Sequence, residues 1–95
     1  MSFSIDGKTV IVTGAANGIG AALARHFAEN DANVMCADID EKALKKDLGD
    51  SADDSNVRYF AGDLREKLTL ANLLSATVDA FDRVDVLVNA SRQMA

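Results

Sequence analysis

Ninety-five residues are enough for one small domain, and 48% hydrophobic content can supply it with a core. The net charge of −5 includes no basic block, which argues against nucleic acid or an anionic membrane as partner, and the single cysteine forbids an internal disulfide and points to a reducing compartment. No apolar run reaches the length of a membrane span, and Met1 to Lys8 lacks the charged and apolar segments of a secretory leader, so the expected location is cytoplasmic.

In chain order, Asp6-Gly7 reads as a turn before a first strand, Thr9 to Thr13, whose β-branched run suits a parallel strand covered on both faces. Glycines follow at 14, 18 and 20. A helix then runs to about Asn30, with Ile19, Ala22, Leu23, His26 and Phe27 at the spacing of one face. Asn30 to Asn33 breaks it. Val34 to Ala37 reads as a second buried strand ending at Asp38, and Asp40 can cap a helix whose apolar positions are Ala43, Leu44 and Leu48. Gly49 to Asn56 reads as a polar loop. Val57 to Ala61 is a third strand, a long helical stretch runs from Asp63 to about Phe81 with Leu70, Leu74 and Phe81 toward the core, and Val84 to Val88 is a fourth strand. The order is βαβαβαβ, and strands alternating with helices imply an α/β fold with a parallel sheet and right-handed crossovers.

Ligands of such sheets sit at the carboxyl ends of the strands. After strand one, Gly14 to Gly20 feeds a strand into a helix, which gathers free backbone N–H groups and the positive end of a helix dipole at one point, as a pyrophosphate requires. The spacing Gly14-x-x-x-Gly18-x-Gly20 departs from G-x-G-x-x-G but meets the same physical needs. After strand two, Asp38 lies eighteen residues past Gly20, near the distance at which an acid takes the ribose hydroxyls of a dinucleotide. A carboxylate there repels a 2′-phosphate, and no Lys or Arg between Thr9 and Gly20 compensates, so NAD is favoured over NADP. Asp63 could equally be the N-cap of the long helix, with Glu66 completing a capping box. His26 reads as a packed or half-exposed helix residue and Cys36 as a small hydrophobe; one of each cannot make a zinc site, and no metal site is expected.

Thr13-Gly14-Ala15-Ala16-Asn17-Gly18-Ile19-Gly20 resembles the TGxxxGIG motif of the short-chain dehydrogenase/reductase family, and the resemblance extends along the whole chain. It implies a Rossmann-like sheet of strand order 3-2-1-4 and hydride transfer between NAD(P) and an alcohol or ketone. It implies cofactor contacts from Gly14, Asn17, Gly18, Ile19 and Gly20, with Asn17 where phosphate-preferring relatives often carry a basic residue. It assigns the adenine amino group to Asp63 and a backbone contact to Leu64. Asn89 matches the first residue of the family's Asn-Asn-Ala-Gly, which supports the sheet and lines the cofactor; Ala90 and Arg92 depart from that pattern, and Ser91 reads as a loop residue.

The family's catalytic unit is a Ser with Tyr-x-x-x-Lys. The one tyrosine here, Tyr59, lies in strand three and is followed four residues on by Asp63, so no catalytic residue is assigned. Residues 1–95 are therefore expected to be the N-terminal, dinucleotide-binding part of a single Rossmann-like domain, truncated before the catalytic half: a fragment or a natural short product. The readings are an NAD-dependent oxidoreductase represented by its cofactor-binding half, with NAD(H) and a small alcohol or ketone as partners, or a non-catalytic nucleotide-binding or regulatory module. An unpaired fourth strand also leads to the expectation of a homo-oligomer.

Overall fold

The computed structural model describes residues 5–48 and 56–90. Four parallel strands, β1 (Thr9–Thr13), β2 (Asn33–Asp38), β3 (Val57–Ala61) and β4 (Val86–Asn89), form one sheet of order β3-β2-β1-β4. Helices α1 (Gly18–Glu29), α2 (Glu41–Leu48) and α3 (Lys67–Phe81) make the crossovers. Val10 pairs with Val34 on one side and Val86 on the other, so β1 is, with β2, one of the two inner strands.

The two-residue period of the strands divides the core. Val10, Val12, Val34, Cys36 and Val57 share one cluster with Ala21 and Ala24 of α1 and Leu44 of α2. Ile11, Met35 and Ala37 face the other way, onto Leu73 of α3. The chain therefore winds outward from β1 over one face, then returns to β4 over the other. The strand order reverses between β1 and β4, and that reversal creates a crevice at the carboxyl ends of the strands.

Two helix faces differ from the sequence pattern. On α1 the buried residues are Gly20, Ala21 and Ala24; Leu23 and Phe27 are half-buried, whereas Ile19 is 71% exposed and Ala22 and His26 are also exposed. The physical reason is closeness. A Cβ on Gly20 would collide with the Gly14 carbonyl oxygen and stand 2.9 Å from Ala15 Cα, so the helix meets the strand end through its smallest residues. On α3 the buried pair is Leu73 and Thr77, while Leu70 and Leu74 are exposed and Phe81 is half-buried. Thr77 is accommodated because its hydroxyl donates to the Leu73 carbonyl at 2.8 Å.

Helix α3 begins at Lys67, with Glu66 at its N-cap and no side-chain cap bond, so Asp63 is not the cap and the capping box does not form. Asp40 does cap α2: its Oδ1 accepts from the Ala43 N–H at 3.0 Å. Strand β4 starts two residues later than the apolar run suggests, because Asp85 is used as a clip. Its N–H donates to the Thr9 carbonyl at 2.9 Å, and its Oδ2 accepts from the Thr9 N–H at 2.8 Å. Arg83 holds the other oxygen at 2.7 Å. These contacts, led by the Arg83 hydrogen bond, keep the Asp85 carboxyl below the usual carboxylate range. The expectations for the 49–55 loop, Ser91 and Arg92 lie outside the described residues.

Candidate cofactor site

The β1–α1 connection is a set of backbone groups held in place from three directions. Gly14 turns the chain with φ +70°, a conformation that a side chain strains. The Ala15 N–H donates to the Ala37 carbonyl at 3.1 Å and the Ala16 N–H to Asp38 Oδ2 at 3.0 Å, which ties the loop to the end of β2. Asn17 ties it elsewhere. Its Oδ1 accepts from the Gly20 N–H at 2.9 Å, making it the N-cap of α1, and its Nδ2 donates to the Ala90 carbonyl at 2.8 Å beyond β4. The Ala90 backbone is tied on its other side as well, its N–H donating to the Thr13 carbonyl at 3.0 Å.

The N–H groups of Gly18 and Ile19, the first two of α1, find no acceptor among the described residues. A Cβ at Gly18 would meet nothing within 4 Å, so the Cα side of the first turn is open. A helix N-terminus with two open donors suits an anionic group.

Beside this turn, a cleft of about 560 Å³ crosses the carboxyl ends of the strands. That volume lies within the roughly 300–1,000 Å³ of ordinary ligand pockets. Gly14, Asp38, Asp63, Leu64 and Asn89 line it. Asn17, Gly18, Ile19 and Gly20 do not line it, and stand instead in the adjoining turn. The structure adds Thr13, Ile39, Gly62, Arg65, Leu70 and Leu87 to the lining. The sequence reading passed over Ile39, for which the signal was its place directly after Asp38 at a strand end. Leu70 carried the opposite signal, because its apolar character reads as core.

Each acid of the cleft already has work. Asp38 divides its oxygens, Oδ2 accepting from Ala16 and Oδ1 from the Asp40 N–H at 3.0 Å. About two of the four lone-pair positions of a carboxylate remain. Asp63 Oδ1 accepts from the Arg65 Nε at 2.9 Å and the Arg65 backbone N–H at 3.0 Å, while its Oδ2 accepts from Arg65 Nη2 at 2.8 Å. The Arg65 side chain and then its backbone N–H pull the Asp63 carboxyl down to about 2. Asn89 Oδ1 accepts from the Thr13 hydroxyl at 3.1 Å, so the ends of β1 and β4 are also joined by side chains. Among the described residues, no group of three or more His, Cys, Asp or Glu could hold a metal ion, and no helix is long and apolar enough to cross a membrane.

Fold and site together define a parallel α/β protein with an open helix N-terminus and an acid-lined cleft at the switch point. Similarity to known proteins narrows that class. The model of the short chain dehydrogenase family matches residues 8–93, and the chain belongs to that family. An uncharacterized oxidoreductase of Thermotoga maritima is 36% identical over 92 residues, which are 96% of this chain and 36% of that protein. The D-threitol dehydrogenase of Mycolicibacterium smegmatis is 37% identical over 92 residues, 94% of this chain and 35% of that protein. A short chain dehydrogenase/reductase of Burkholderia phymatum, solved in complex with NAD, superimposes with a TM-score of 0.83 at 31% identity, over 90% of this chain and 31% of that one. The chain spans about a third of the length of the curated relatives it matches.

Proposed function

We propose that this chain is the cofactor-binding part of an NAD-dependent oxidoreductase that transfers hydride to or from a small alcohol or ketone. The observation that carries the proposal is the placement of Asp38. Its carboxylate lines the cleft, is bonded to the glycine turn through the Ala16 N–H, and keeps lone pairs for further donors. The pyrophosphate of a dinucleotide would rest on the Gly18 and Ile19 N–H groups. The adenosine ribose hydroxyls would donate to Asp38, and the base would lie toward Asp63 and Leu64. The nicotinamide supplies the hydride chemistry when the cofactor is bound; the residues described here orient it and exclude the 2′-phosphate by like charge.

The charge and the open lone-pair positions of Asp38 support NAD over NADP. The 95 residues offer one tyrosine, Tyr59, half-buried in β3 and followed four positions on by Asp63. They are therefore expected to bind the cofactor without turning over a ketone. Titration calorimetry with NAD(H) and NADP(H) tests the reading: tighter binding of NAD(H) is expected, and equal or tighter binding of NADP(H) overturns it.

A further inference from the structure

Arg65 has no part in the sequence motif, yet it lines the cleft and its contacts decide what Asp63 can do. Its guanidinium spans both carboxylate oxygens, Nε to Oδ1 at 2.9 Å and Nη2 to Oδ2 at 2.8 Å, and its backbone N–H donates to Oδ1 at 3.0 Å. Oδ1 thus accepts two donors and Oδ2 one. A carboxylate offers about four lone-pair positions, so the remaining seat is on Oδ2. A planar, two-pronged guanidinium fixes the plane of its carboxylate, which a single-point ammonium cannot do.

We propose that Arg65 is a positioning residue that presents Asp63 to the cleft as one fixed acceptor and thereby makes the site choose a purine with an exocyclic amine over one with a carbonyl in that place. The inference rests on the reading of the cleft as a nucleotide site. An amine at the 6-position donates to the open seat. A 6-carbonyl brings its lone pairs against those of the carboxylate, which is ionised at pH 7, and the guanidinium on both oxygens keeps Asp63 from turning to relieve the conflict. Without Arg65, the carboxylate keeps only its backbone bond and is free to turn.

NMR titration of the protein with AMP and with IMP at pH 7 tests this, in the wild type and in Arg65→Gln and Arg65→Lys. The Arg65 side chain is 74% exposed, so neither substitution removes core packing. AMP is expected to bind about tenfold or more tighter than IMP in the wild type, in keeping with one hydrogen bond to a charged acceptor. In Arg65→Gln the ratio should fall to about two- or threefold. Arg65→Lys should not restore it, because a point charge does not orient the plane. In Arg65→Gln the titration midpoint of the Asp63 carboxyl carbon should move up from about 2 toward the ordinary carboxylate value. An unchanged AMP/IMP ratio in Arg65→Gln overturns the inference while leaving the nucleotide site standing. Equal or tighter binding of IMP by the wild type also overturns it, since the guanidinium would then be what meets the base. Failure of both ligands to bind the wild type overturns the site reading and the inference together.

Discussion

The Asp38 carboxylate accepts a hydrogen bond from the Ala16 N–H at 3.0 Å, so the residue suited to select the cofactor also braces the turn suited to hold its phosphates. Substitution at 38 therefore acts twice. Asp38→Ala should narrow or abolish the preference for NAD(H), by removing the charge that opposes a 2′-phosphate. It should also lower stability by about 1–3 kcal/mol, because the Ala16 and Asp40 N–H groups lose their acceptor. Calorimetry with both cofactors and urea denaturation separate the two effects. A variant with unchanged stability would mean that the turn does not need this brace.

Two glycines of the same turn should respond in opposite ways to one substitution. At Gly20 a Cβ would collide with the Gly14 carbonyl oxygen and lie 2.8 Å from Gly14 C, backbone atoms that cannot rotate aside. Gly20→Ala is expected to cost about 1–3 kcal/mol through overpacking. At Gly18 a Cβ would meet nothing within 4 Å, and alanine is the better helix former. Gly18→Ala should leave stability level or slightly raised while weakening dinucleotide binding, because the methyl group occupies the approach to the open N–H groups. Denaturation and calorimetry on both variants check the pair. Equal loss of stability in the two would contradict this division of roles.

The Thr9–Asp85 clip predicts a particular response to acid. The hydrogen bonds from Arg83 and Thr9 hold the Asp85 carboxyl below its ordinary value in the folded chain. A lowered folded value means that the ionised form favours folding. That contribution is complete above the unfolded carboxyl value of roughly 3.9 and is lost as pH falls through the lowered one. The stability difference between wild type and Asp85→Asn should therefore be constant from neutral pH to about 5 and shrink below about 4. Urea midpoints measured across that range check it. A difference that grows on acidification would reverse the assigned sign.

The parts of this structure that were legible in the sequence are those set by local chemistry. β1 and β2 could be placed from their β-branched and apolar runs because both are buried on both faces, and Asp40 could be read as a cap because capping spans three residues. The alternation of elements implied the parallel sheet, and the strand order came from the family resemblance. The parts missed depend on distant partners or on competing local bonds. Asn17 and Ala90 are 73 residues apart, and no pattern in the turn reveals that the Asn17 amide bridges to a strand end. The facing of α3 was misjudged because Leu70 and Leu74 carry the same apolar signal as Leu73, and only the packed sheet separates them. Asp63 was weighed as a cap, yet the arginine two positions on takes its carboxylate.

β4 carries the last prediction. Among the described residues it has β1 on one side and no strand on the other, so its outer N–H and C=O groups form an edge. Its residues are apolar but open: Leu87 is 61% exposed and Val86 41%, with Val84 before them and Leu74 and Val78 of α3 also exposed. An edge strand of this composition, without lysine or proline to blunt it, is a template for pairing with another chain. Exposed apolar side chains in number favour the same outcome. The 95-residue chain is therefore expected to self-associate in a concentration-dependent way, and Val86→Lys, which puts a charge on the edge, should shift it toward monomer. Sedimentation velocity over a range of concentrations checks both statements. A wild-type chain that stays monomeric at every concentration, with a single sharp thermal transition, would show that the edge is covered by residues outside those described.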